Sequence, residues 1–207
     1  MTSPVQPARP GGTVLPGAGP SAVTVRVGGA VLTAGAVAWA VGLLVVGDSV
    51  QEGIQPLDSL TGAAYVLGLA VLMLLLAAAR APGPRFGRYL ALATAPVLVG
   101  AALLNLLSMG YDRYEDLPTS LQVLDICWPL GQLLVLAVGI ATAVTGRLHG
   151  ATRWQPLLCG LWFPVSTVAQ ILLGPAGSVP VSAGWLLLAP ALLGLGLAIR
   201  PATLVGP

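Results

Sequence analysis

The chain has 207 residues, 56% of them hydrophobic and only 8% charged. A soluble domain carries about 25% charged residues, so this chain cannot clothe a water-facing surface of its own size and is built for lipid. Its formal net charge of +2 is too small to imply a nucleic-acid partner, and its length suits one membrane domain with no second globular one.

The first 22 residues are rich in Pro, Gly, Ser and Thr and have little to bury, which predicts a disordered cytoplasmic tail over 1–22. They lack the ordered charged start, apolar core and cleavage site of a signal peptide, so the first apolar helix is expected to stay as an anchor. Uncharged stretches then locate the spans. They run over 27–47, 59–79, 89–111, 126–146 and 154–199. The last is about twice as long as one span needs, and it is interrupted by Gly174-Pro175-Ala176-Gly177-Ser178-Val179-Pro180, which cannot be continuous helix. The expected fold is all-α, a polytopic transmembrane bundle of six helices occupying 23–200. The spans are expected near 24–46, 62–80, 89–109, 120–145, 155–174 and 180–199, with a short cytoplasmic tail over 201–207. The runs are apolar all round, without the alternating polarity of a membrane barrel.

All nine basic residues are Arg, a composition that suggests high-GC, bacterial coding. With the N-terminus inside, Arg9, Arg26, Arg80, Arg85, Arg88, Arg147, Arg153 and Arg200 are cytoplasmic and only Arg113 is outside. Asp48, Glu52, Asp58, Asp112, Glu115 and Asp116 then fall outside, and an odd helix count would spoil the separation. The expected location is the cell membrane, with both termini cytoplasmic and the bilayer as the first partner. Tyr89 and Trp154 suit an inner aromatic belt, Tyr111 and Tyr114 an outer one. In the first span Ala34, Ala38 and Gly42 recur at four residues and Gly28, Gly35 and Gly42 at seven. Small residues so spaced let helices approach closely, either inside the bundle or across a homo-oligomer or membrane-protein partner.

Asp125 is the one acidic residue inside an expected span. Thr119-Ser120-Leu121-Gln122 has capping-box spacing, which sets Asp125 about 7–9 Å into the fourth helix. It reads either as a binding or proton-handling group or as a helix-end Asp bonded at the interface. Trp128 and Gln132 share its face, and Pro129 is expected to loosen the helix beside it. Asn105, Ser166, Gln170, Tyr65 and Trp185 lie at outer depths of other spans and could line one outward cavity, or could bond helix to helix. The loop 47–61 reads as a solvated acidic loop whose spacing does not match a calcium loop. Two cysteines and one histidine are too few for the usual zinc site, and no motif implies a cofactor. Cys127 and Cys159 differ in expected depth by roughly 15 Å, too far for a disulfide. His149 reads as a solvated loop residue.

The stretch Leu124-Asp125-Ile126-Cys127-Trp128-Pro129-Leu130, followed by Arg153-Trp154-Gln155-Pro156-Leu157, resembles a family of uncharacterised six-helix membrane proteins of high-GC bacteria. The resemblance covers the second half of the chain and implies a fold and a membrane location, not an activity. Small membrane terpene cyclases, which use acidic side chains in a lipid-level cavity, are similar in size, and only Asp125 could serve as such an acid here. Three functions follow as expectations. The leading one is a non-enzymatic membrane subunit, sensor or interaction protein. The alternatives are a carrier or binding protein for a small or amphiphilic molecule, and an intramembrane enzyme on lipid or isoprenoid substrates with Asp125 as acid.

Overall fold

A computed structural model describes residues 19–205, together with the backbone but not the side chains of Val50, Gln51 and Val205. Most of the expected tail over 1–22, and Gly206 and Pro207, lie outside the described residues. The described chain is all-helical. Its elements are α1 (Ala22–Val46), α2 (Pro56–Ala78), α3 (Phe86–Ser108), α4 (Thr119–Asp125), α5 (Cys127–Thr145), α6 (Gln155–Gly160), α7 (Trp162–Leu186), α8 (Leu192–Ile199) and α9 (Ala202–Val205). A π-helical turn, Leu187–Ala191, joins α7 to α8 around Pro190.

Five helical stretches are long and apolar enough to cross a membrane: Ala22–Ser49, Pro56–Ala78, Phe86–Ser108, Thr119–Thr145 and Trp162–Ile199. Their outward faces carry large exposed hydrophobics such as Val45, Leu74, Ile171, Leu172 and Leu188, which water would not suit. The fifth stretch is not straight. Gly174 has φ 71 and ψ −178, a conformation open to glycine, and the chain reverses there. Pro175 then opens the second arm, where a missing N–H costs nothing. Three bonds prove the arms antiparallel: the Trp162 Nε1–H donates to the Ser182 carbonyl at 3.2 Å, the Ser182 hydroxyl to Ser166 Oγ at 2.9 Å, and the Trp185 Nε1–H to the Leu158 carbonyl at 2.8 Å.

Around the bundle α1 packs on α2, α2 on α3, α3 on α5 and α5 on α6, and α8 closes the ring against α1. Glycines make these contacts close. A Cβ on Gly29 would lie 2.5 Å from the Gly194 carbonyl oxygen, and one on Gly139 would lie 2.6 Å from the Leu157 Cα. Gly28, Gly35 and Gly42 are all buried against α2, meeting Leu75, Ala64 and Thr61. Ala34 is exposed and Ala38 partly so. The four-residue stripe therefore turns from the surface into the α1–α2 contact by Gly42.

Two ends differ in charge. At one, the Arg147 guanidinium donates to the Arg80 carbonyl at 3.4 Å, α9 lies against α1, and Arg200 shares a recess with Thr152 and Gln155. That basic end also holds Arg26, Arg85, Arg88 and Arg153, whose guanidinium carbon sits 5.2 Å from the Trp154 ring centroid. At the other, the Ile54 N–H donates to the Asp112 carbonyl at 2.9 Å and joins the α1–α2 and α3–α4 connections.

Three expected boundaries need correction. The second helix begins at Pro56, not near 62, because Pro is well placed at a first helical position; Asp58 is thus in its first turn and not in a loop. The fourth span is broken at Ile126, since Pro129 has no N–H for the Asp125 carbonyl, and no side-chain cap forms at Pro118 or Thr119. Helix resumes at Pro175, so the 174–180 interruption shrinks to the single residue Gly174.

These contacts predict that Gly29→Val lowers the thermal unfolding midpoint in detergent, by the roughly 1–3 kcal/mol typical of overpacking or more. Gly184→Ala, where an added Cβ meets nothing within 4 Å, should leave it unchanged or raise it slightly. Equal melting of the two variants would contradict the packing described.

Candidate functional site

Toward the acidic end, four aromatic rings from four segments meet. Trp39 of α1 stacks on Tyr65 of α2 with centroids 4.9 Å apart and planes at 26°. It also lies 5.4 Å from Trp128 of α5 and 4.6 Å from Trp162 of α7. Trp162 in turn lies 6.3 Å from both Tyr65 and Trp128. Such spacings fall within the range at which aromatic pairs attract beyond simple burial.

The polar handles of these rings point to neighbouring segments. The Trp39 Nε1–H donates to Asp58 Oδ1 of α2 at 2.8 Å. The Trp128 Nε1–H donates to Asn105 Oδ1 of α3 at 2.8 Å. Gly62 permits both, because a Cβ there would sit 2.9 Å from Asn105 Nδ2 and 3.3 Å from Trp39 Nε1. Tyr65 is fully buried, and its hydroxyl finds no hydrogen-bond partner among the described residues.

A recess of about 190 Å³ opens beside this cluster, lined by Trp39, Asp58, Trp162, Ser166, Gln170 and Ser182 together with Leu43, Ser178 and Val179. Trp162, Ser166 and Gln170 recur at four residues and present one face of the first arm. Ser178 and Ser182 do the same on the second arm. The Asp58 carboxylate, half-buried, has Trp39 as its hydrogen-bond partner, and among the described residues no cation pairs with it.

No protein-family model matches this chain, and neither a curated protein nor a solved structure resembles it. The arrangement of its own residues must therefore carry the reading.

Of the residues expected to share a cavity, the structure brings Ser166 and Gln170 into this recess, and sets Tyr65, Trp128 and Asn105 in the aromatic cluster behind it. Asp125 is elsewhere. It is exposed at the end of α4 and lines a separate open recess of about 310 Å³ with Tyr114, Glu115, Leu117 and Gln122. Asp125 lies just before the irregular turn at Ile126, and the Trp128 indole beyond it turns instead to Asn105. Tyr114 stands between the two carboxylates: partial burial, then Asp125 and Asp58, push its phenol pKa up. Trp185 is ten residues into the second arm and bonds the Leu158 carbonyl, outside the lining of the recess. Gln132 is fully buried in α5 and neither of its amide atoms finds a partner among the described residues. Among the described residues no three His, Cys, Asp or Glu side chains gather as metal ligands would. Both cysteines are free thiols.

Asp58, Trp39, Trp162, Ser178 and Ser182 are the polar and aromatic residues of the recess that sequence reasoning missed. The signal for Asp58 was Gln55-Pro56-Leu57-Asp58, a Pro start with an acid in the first turn. A buried amide lacking partners costs about 1–3 kcal/mol. Gln132→Met, of similar shape, should therefore raise the unfolding midpoint; a marked fall on thermal melting would show that the amide is bonded in the native protein.

Proposed function

We propose that this chain is a multi-pass protein of the cell membrane that binds a small molecule in a recess open to the outer face, as a carrier, receptor or binding subunit. The observation that carries this reading is the recess itself. Side chains from α1, α2 and both arms of the hairpin converge on about 190 Å³, with one carboxylate, three serines and two indoles. Mainly apolar walls with a few convergent polar groups are the usual make-up of a ligand site.

The topology proposed is six passes with both termini cytoplasmic. Residues 155–173 and 175–199 extend about 28 and 37 Å at helical rise, each enough for a bilayer core of roughly 30 Å. Their antiparallel bonding supports counting them as two passes. The Arg-rich end then faces the cytoplasm and the acidic end, with the recess, faces outward. The isoprenoid-enzyme alternative draws no support from Asp125, which is exposed and away from the aromatic cluster. A subunit that meets partners through its loops alone leaves the recess unexplained.

Single cysteines test both parts. In a Cys127→Ala, Cys159→Ala background, Ser166→Cys should react with a membrane-impermeant thiol reagent on intact cells. His149→Cys, exposed at the basic end, should react only after permeabilisation. The reverse pattern would invert the topology. A silent Ser166→Cys beside a reactive Asp116→Cys would mean the recess is closed to water, and the binding reading would fall.

A further inference from the structure

We propose that the recess beside Trp39 and Trp162 is a site for a small organic cation, an ammonium or quaternary ammonium group held between the two indoles and the Asp58 carboxylate. The inference rests on the reading of the recess as a binding pocket and adds the chemical class of its ligand.

Charge is the first argument. An ionised carboxylate accepts at about four lone-pair sites, and Asp58 has one of them engaged, by the Trp39 indole. Groups of this kind away from bulk water are normally paired. The start of α2 and the indole N–H offset part of the negative charge, but among the described residues no cation pairs with it. Every described Arg except Arg113 lies at the opposite end of the bundle. The serines that line the rest of the recess are neutral. An anionic ligand would meet Asp58 with nothing to balance either charge.

The rings are the second argument. Indole is the strongest cation–π partner among side chains, and the attraction grows when the pair is desolvated. Two indoles line the recess, and Tyr65 and Trp128 stand behind them within 4.9 to 6.3 Å of one or the other. Donation from the Trp39 Nε1–H to a carboxylate leaves that ring richer in electrons, so the carboxylate and the ring face act on a cation in the same sense.

Size and coordination chemistry narrow the class. About 190 Å³ is below the roughly 300–1,000 Å³ of pockets for drug-sized ligands, so the ligand has few heavy atoms. A small hard metal ion is held chiefly by carboxylates and carbonyls, whereas the recess offers one carboxylate, and its other oxygens are mostly neutral serine hydroxyls beside two indoles. A diffuse alkylammonium charge loses little on leaving water and matches those walls.

The test is intrinsic tryptophan fluorescence of the purified full chain in nanodiscs, titrated with choline and, in parallel, with 3,3-dimethylbutan-1-ol, in which carbon replaces the nitrogen. The expected result is a saturable change with choline, and affinity for the neutral analogue weaker by about tenfold or more. Asp58→Asn keeps an oxygen to accept the Trp39 N–H, so it should retain the elution profile and far-ultraviolet dichroism of the parent. It should also lose about tenfold or more in choline affinity and bring the two probes to parity. Equal binding of both probes by the parent chain, or full choline affinity in Asp58→Asn, would overturn the inference. The comparison of probes on the parent chain stands even if the variant does not fold. Where labelling of Ser166→Cys has shown the recess to be open, no saturable response of the parent chain to choline also overturns the cation class, while the binding reading survives. An unlabelled Ser166→Cys removes the pocket itself.

Discussion

An indole sealed inside an apolar bundle carries one N–H, and that hydrogen must find an acceptor within the protein because lipid supplies none. Four of the five tryptophans meet this constraint by bonding across to another segment. Trp39 reaches Asp58 and ties α1 to α2, and Trp128 reaches Asn105 and ties α5 to α3. Trp162 and Trp185 reach the Ser182 and Leu158 carbonyls and tie the two arms of the hairpin to each other. Trp154 is the exception, half-exposed at the basic end beside Arg153. Because Trp39, Trp128 and Trp162 also meet one another and Tyr65, these tethers converge on one aromatic floor. Large flat rings close the bundle on one side of the recess, and the serine faces of the two arms, joined by the Ser182–Ser166 bond, line the other.

Glycine plays the complementary part. Where no ring intervenes, backbones come together: Gly29 on Gly194, Gly139 on Leu157, Gly160 on Leu136. In lipid there is little hydrophobic drive between helices, so close packing and hydrogen bonds must do the holding. The chain uses the first along the contacts of α1 with α2 and α8, and the second at the aromatic level. The separation of charge adds direction but little cohesion. Arg153 is partly an exception, since its Nε–H donates to the Ala143 carbonyl at 2.6 Å and so fastens the end of α5.

Much of the fold was legible because hydrophobic run length and charge spacing are local properties. The apolar runs, the helical class and the reversal near 174 could all be read from residue order. The exact helix starts could not, since Pro56 and Pro175 begin helices ahead of the most apolar part of each run. That difference moves Asp58 out of a supposed loop and sets Tyr65 and Trp185 further from the ends of their helices. The site was less legible. Ser166 and Gln170 announced themselves as polar residues four apart in an apolar run. Asp125 drew attention as a charge inside a span, but it is exposed and lines the open recess beside Tyr114, apart from the aromatic cluster. Trp39 gave no signal, because one Trp in an apolar helix reads as packing. Which ring it meets depends on helix rotation, and periodicity in an all-round apolar segment does not encode rotation.

The bond between Trp39 and Asp58 joins the aromatic floor to the carboxylate. The most direct measurement is a double-mutant cycle of Trp39→Phe and Asp58→Ala, read by reversible unfolding in mild detergent. A hydrogen bond to a charged group is worth about 1.5–3 kcal/mol, so a coupling of that order is predicted. Additive losses, with a coupling within about 0.5 kcal/mol of zero, would mean that the two side chains do not depend on each other, and the aromatic floor would not be what holds the carboxylate in place.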